Sequence, residues 1–235
     1  MKKQMQWISI VLVLVVASVS YYQINSYEEE MQALKQDNVE LEQEIDTMES
    51  QAMYILNQSD QKEVKLTHET WPEYFNVAEV MVKESDGEFL RPWAIYLVKE
   101  AEKYDIDPFI VYELLKVETG RTFDPELVGP ETKYGHAYGM AQFMKNTAPW
   151  IAEMAEMPYE EKLLFDPYYS IKLSLVYLDY LYDQYDNWDE TLTAYHRGMA
   201  GMEQYKLKNG HANSEYAVRI QTNAQKYKDF VAFAN

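Results

Sequence analysis

Proline, paired with a capping side chain, opens one apolar helical run after another along the C-terminal two thirds of this chain. Between these runs no convincing alternating strand occurs. Pro92 begins a run to about Tyr104, with Trp93, Ile95, Leu97, Val98 and Ala101 on it. Asp107-Pro108 offers an N-cap and a proline at the first helical position, ahead of FIVYELLKVE. Asn146 or Thr147 with Pro149 starts another, and Asp166-Pro167 starts the longest, to about Tyr185. That last run is apolar on most sides (Ile171, Leu173, Leu175, Val176, Leu178, Leu181), as expected of a central helix. Asp189 is expected to cap a helix through Tyr195, and Ser214 a final one toward Phe230. Residues 91–235 therefore read as an all-α domain, with a lead-in helix from Glu73 to Lys83 inside a linker at 63–90.

The N-terminal quarter obeys different rules. Lys2 and Lys3 precede an uncharged apolar run from Trp7 to Tyr22, flanked by interfacial aromatics. Residues 1–24 are thus expected to anchor the chain in a membrane with the bulk outside. A cleaved signal peptide is the rival reading, and Ala17-Ser18-Val19 offers it only a poor site. Either way the domain is expected on the extracytoplasmic side. Residues 25–62 carry ten Asp or Glu against Lys35 between positions 27 and 60. Within that charge a heptad persists. Ile24, Met31, Asn38, Ile45 and Ala52 form one seam, and Tyr27, Leu34, Leu41, Met48 and Ile55 the other. An asparagine at a seam position fixes register in parallel dimers, so a coiled-coil stalk with a possible homodimer is expected. A single solvated acidic helix is the alternative, since like charges weaken pairing. Both make a spacer.

Composition narrows the partners. A net charge of −18 argues against nucleic acid, whose phosphates need a basic face. Cysteine is absent, which removes disulfides and thiol chemistry. No clustered His, Asp or Glu spacing suggests a metal, and no cofactor is implied. The 21 tyrosines are amphipathic packing or the lining of a polar, ring-shaped ligand.

Chemistry concentrates between Val117 and Gln142, which hold four of the eight glycines. Glu118 follows Leu115, Leu114 and Val111 by three, four and seven residues, so all share its helical face. Desolvation on that face, and the negative end of the helix dipole, raise a carboxyl pKa. A carboxylic acid protonated near neutral pH is what general-acid cleavage of a glycosidic bond requires. A buried glutamate paired with a loop amide or with Arg121 is the structural alternative.

The order of motifs adds to this. Glu118-Thr119 comes first, Gly139-Met140-Ala141-Gln142 second, and Ala194-Tyr195-His196 after a long helix. In that order the chain, from about Trp93 to Phe230, resembles the soluble lytic transglycosylase domain family of the lysozyme superfamily. That family shows Glu-Ser, Gly-Leu-Met-Gln and Ala-Tyr-Asn. The resemblance implies a lysozyme-like helical fold and cleavage of the β-1,4 bond between N-acetylmuramic acid and N-acetylglucosamine in peptidoglycan glycan strands. One glutamate, here Glu118, would protonate the leaving oxygen. It would then act as base toward the C6 hydroxyl, closing a 1,6-anhydro ring without the second carboxylate most glycosidases use. The resemblance further implies substrate contacts from Thr119, Tyr138, Met140, Gln142, Tyr195, His196 and Tyr216, with the Tyr195 hydroxyl orienting Glu118. Three positions depart from the pattern: Thr119 replaces serine, Ala141 methionine and His196 asparagine. A hydrolytic muramidase, with Asp124 or Glu131 positioning water, and an inactive wall-binding scaffold are the competing readings.

Overall fold

The computed structural model describes residues 21–28, 31–32, 34–36, 38–39 and 71–228. The chain divides into two units, Met1–Ser50 and Gln51–Asn235. In the first, the described residues are helical, and the seam side chains among them (Ile24, Tyr27, Met31, Leu34, Asn38) are exposed. Most of the expected anchor and the later heptads lie outside the described residues. No helix among the described residues is long and apolar enough to cross a membrane.

The second unit is helical. Helix α1 (Trp71–Glu84) and α2 (Arg91–Lys103) pack as a pair, and α3 (Pro108–Glu118) follows. A two-residue hairpin comes next, β1 (Ala137–Tyr138) against β2 (Phe143–Met144), antiparallel with Tyr138 opposite Phe143. Then come α4 (Ala148–Met154), a 3₁₀ turn at Glu161–Phe165, and the long α5 (Pro167–Tyr185). Helices α6 (Trp188–Arg197), α7 (Met199–Asn209) and α8 (Glu215–Ala224) close the domain, with a last 3₁₀ turn at Gln225–Tyr227.

Caps explain most of these boundaries. The Asp107 carboxylate accepts from the Phe109 amide at 2.9 Å, and Asp166 accepts from Tyr168 and Tyr169 at 2.8 and 3.0 Å. Each satisfies donors that a helix start leaves open. Ser214 Oγ accepts from the Ala217 amide at 3.2 Å. At α6 the cap is Asn187, not Asp189. The Asn187 side chain accepts from the amides of Asp189 and Glu190, which places Asp189 inside the first turn, where its charge suits the dipole. Helix α7 and the hairpin were not expected from the sequence.

Helix α5 is buried on nearly every side, with Ile171, Leu173, Leu175, Val176, Leu178 and Leu181 fully enclosed. The lead-in helix joins the same core through Tyr74, Val77, Ala78 and Met81. It also makes a polar joint. Lys116, on the back of α3, reaches Glu84 of α1 at 2.6 Å and Glu113 at 3.2 Å. Tyr112 donates to Glu84 at 2.7 Å, and Asn223 of α8 donates to Glu113 at 2.9 Å. Glu113 is 1% exposed and Lys116 6%. Removing one partner of such a buried cluster strands the remaining charges. Lys116→Met is therefore expected to cost about 3–5 kcal/mol, read as a fall in the urea midpoint at unchanged m value.

Candidate active site

Helix α3 ends where the candidate acid sits. Thr119 is its C-cap, and Gly120 follows at φ +58, the left-handed position that glycine fills without strain. The next residues hold unusual backbone: Arg121 at φ +79 and Phe123 at φ +49. The Thr119 hydroxyl fixes this bend. It donates to the Leu115 carbonyl at 2.8 Å and accepts from the Phe123 amide at 3.0 Å. The buried Phe123 ring then packs on Phe89 and Tyr112. Strain at the mouth of an α-helix, held by packing, is what functional loops store.

Glu118 is half-buried on the face that carries Val111, Leu114 and Leu115, all fully enclosed. Burial pushes its carboxyl from the ordinary 4.5 up to about 7, against a hydrogen bond from Tyr216 that lowers it. The Tyr216 hydroxyl donates to Glu118 Oε1 at 2.5 Å from the first turn of α8. Burial, and then the charge of Glu118, hold that phenol well above its usual pKa, so it serves as a donor. No second carboxylate, arginine or lysine among the described residues takes part in the Glu118 shift. Asp124 is exposed and caps its own turn through the Glu126 amide; Glu131 is exposed as well. No group of three or more His, Asp or Glu that could hold a metal occurs among the described residues.

The turn at 139–142 forms a neighbouring wall. Gly139 sits at φ +73, where an added Cβ would lie 1.7 Å from the Leu164 carbonyl oxygen. Only glycine fits that approach. Gln142, at φ +51, turns its amide inward and donates to the carbonyls of Gly139 at 2.8 Å and Leu127 at 3.3 Å. It thereby staples the 127–129 loop to the turn. Tyr195 is the link from this turn to the long helix. Its hydroxyl donates to the Ala141 carbonyl at 3.2 Å and lies 3.3 Å from Ser174 Oγ of α5. Its ring packs at a tilt against those of Phe143 and Tyr177.

Several expectations change at this level of detail. The hydroxyl that reaches Glu118 belongs to Tyr216, while Tyr195 braces the Ala141 turn beside it. Tyr195 still lies near enough for the Glu118 charge to raise its pKa, after burial. Met140 is fully enclosed and packs in the core, so it has no surface to offer a ligand. Thr119 is 3% exposed and spends its hydroxyl on the backbone, which makes it a brace for the loop. Gln142 shapes the wall through its inward amide. Tyr138 is half-exposed, with its ring edge-on to Phe165 and Lys145 above it. His196 lies exposed at the end of α6, its ring flat against Tyr216. His136 holds the Gly129 carbonyl through Nδ1 at 2.7 Å. Tyr216, expected as a substrate contact, is the partner of the acid; it lies far from Glu118 in the chain, and only folding brings the two together.

The helical domain thus carries one desolvated carboxyl, raised to about 7, at the end of α3. Residues 95–218 match the transglycosylase SLT domain family, and the chain belongs to that family. Among solved structures the chain is similar to an inactive variant of the lytic transglycosylase Slt from Pseudomonas aeruginosa. The identity is 17% and the TM-score 0.43, over 67% of this chain and 28% of that one. The chain thus spans under a third of that protein's length. No curated protein matches the chain closely enough to count as a relative.

Proposed function

We propose that this protein is a peptidoglycan lytic transglycosylase, a lyase that cuts the bond between N-acetylmuramic acid and N-acetylglucosamine and leaves a 1,6-anhydro end. The observation that carries the reading is Glu118 itself. It is desolvated, raised to about 7, and bonded by one neutral hydroxyl, with no second carboxylate among the described residues contributing to its shift. Most retaining or inverting hydrolases use a partner carboxylate as nucleophile or base. A lone acid suits a reaction in which the sugar supplies its own nucleophile. Glu118 donates its proton to the leaving oxygen as the glycosidic bond breaks. The resulting carboxylate takes the proton of the C6 hydroxyl, whose oxygen bonds to C1 and closes the ring. The internal hydroxyl gains from proximity over external water. Tyr216 keeps the carboxyl oriented through both steps, and the turn at 139–142, braced by Tyr195, forms one wall of the glycan groove.

Wild-type protein added to purified sacculi is expected to release muropeptides that borohydride cannot reduce. Reducible muramic acid ends among the products would favour the muramidase. Turnover is expected to fall as pH rises through about 7, because the proton donor is lost there. Tyr216→Phe removes a bond that favours the carboxylate, so that alkaline limb is expected to move upward by about one unit, with a lower kcat.

Delivery to the wall completes the proposal. Residues 1–24 tether the chain to the cell membrane in a single pass, with the catalytic domain on the wall side. Residues 25–62 form a parallel coiled-coil stalk between two copies, a reading the exposed Ile24, Tyr27, Met31 and Leu34 support. Sedimentation of residues 25–235 is expected to give a dimer, which deletion of 25–62 converts to a monomer. A monomer in both cases would refute the stalk pairing.

A further inference from the structure

His196 stands where the family pattern has asparagine, and its position in the fold is specific. Its imidazole lies parallel to the Tyr216 ring, with centroids 4.5 Å apart and planes within 4°. Tyr216 is 9% exposed, and its hydroxyl donates to Glu118 Oε1. His196, Tyr216 and Glu118 therefore form a row from solvent to the acid. The two helices that carry the stack are locked just before it. Thr193 Oγ1 of α6 lies 2.7 Å from Ser214 Oγ, the N-cap of α8, and donates to the Ala212 carbonyl at 2.6 Å. Thr193 and Ser214 are buried. That clamp sets His196, one turn after Thr193, over Tyr216, two residues after Ser214.

We propose that His196 is a positioning residue: by covering the outer face of Tyr216 with an aromatic plane, it holds the phenol in the rotamer that donates to Glu118. The inference rests on the lytic transglycosylase reading for the role of Glu118, but not for its own test. A tyrosine in the first turn of a helix has more than one staggered rotamer. Offset stacking on a flat neighbour biases the choice. Desolvation of the imidazole where it lies against Tyr216, and then the adjacent Arg197, lower the histidine pKa, which favours the neutral ring. The groups that bear on Glu118 are then Tyr216 from α8, and Tyr195 with His196 (through Tyr216) from α6, with Arg197 beside the histidine.

The test reads Glu118 directly, without substrate. The carboxyl carbon of Glu118 in carbon-labelled protein is titrated by NMR in wild type, His196→Ala, His196→Phe and Tyr216→Phe. His196→Ala is expected to shift the titration upward by about half a unit, in the direction of Tyr216→Phe, because the phenol no longer holds the carboxylate. His196→Phe, which keeps the plane and loses the nitrogens, is expected to titrate as wild type does. A His196→Ala curve that overlays wild type would overturn the proposal. So would a His196→Phe curve shifted as far as that of the alanine variant, since the nitrogens rather than the stack would then matter. His196 is exposed, so equal melting temperatures are expected and confine any shift to the site. Failure of the lytic reading would show in the products of digestion and leave this titration unaffected.

Discussion

Glu118→Gln is expected to abolish release of soluble muropeptides, by about a thousandfold or more, while leaving the protein folded and, above pH 7, more stable. The first half follows from general-acid catalysis, where the positioned proton donor contributes about 10²–10⁴ and here serves both steps. The glutamine keeps the shape and can still accept from Tyr216, so the groove persists without its proton. The second half follows from linkage. The Glu118 pKa stands at about 7 in the fold against an ordinary 4.5. Below the lower value the carboxyl is protonated in both folded and unfolded chains and costs nothing. Between the two values the unfolded chain releases its proton while the native state still holds it, so stability is lost progressively, and the loss is complete once pH has risen through the folded value. The full penalty, on the order of 3 kcal/mol, is present at pH 8. Glu118→Gln removes it, so its thermal unfolding is expected above that of wild type at pH 8 and level with it at pH 4. Equal unfolding at both pH values would mean that the carboxyl is not desolvated.

Gly139→Ala is expected to damage stability and activity together. The added methyl meets the Leu164 carbonyl oxygen at 1.7 Å and its carbon at 2.8 Å, both main-chain atoms of the 3₁₀ turn. A positive φ adds its own cost for any residue with a Cβ. Together these amount to about 3 kcal/mol or more, and a melting temperature lower by roughly 10 °C. The turn must lift away from residues 161–165, and it is the turn whose Ala141 carbonyl anchors Tyr195 and whose Gln142 staples the 127–129 loop. Gly129→Ala is the control. Its methyl would meet the Gln142 side-chain oxygen at 2.5 Å, which can move, and Ala137 only at ordinary contact distances of 3.5 and 3.6 Å. A Gly139→Ala protein that melts with wild type would show that the close approach is not needed.

Helices with strong local signals were legible without coordinates. Asp107-Pro108 and Asp166-Pro167 carry their cap and their first turn in adjacent residues, so the boundary is written locally. Asn187 was hidden by Asp189, two residues on, since both are capping types and only backbone geometry separates them. Helix α7 buries Met202 alone, too thin an apolar face to register as a period. The hairpin has two residues per strand, too few for alternation to show.

The site divides the same way. Glu118 was legible because its apolar face and the end of its helix are both local. Roles assigned by motif were less secure, because a motif conveys order and not direction. Met140 and Gln142 lie two residues apart in the Gly-Met-Ala-Gln turn, yet one side chain fills the core and the other clamps a neighbouring loop. Tyr195 and Tyr216 approach the acid from different helices, and which hydroxyl reaches it depends on the packing of α6 against α8. No spacing within the sequence encodes that choice.

The most direct test of the lone-acid account is digestion in water enriched in heavy oxygen, followed by weighing of the muropeptide ends. Ring closure by the C6 hydroxyl draws no oxygen from solvent, so the account requires anhydro ends without label. Heavy oxygen at C1 of muramic acid would contradict it and make the protein a hydrolase.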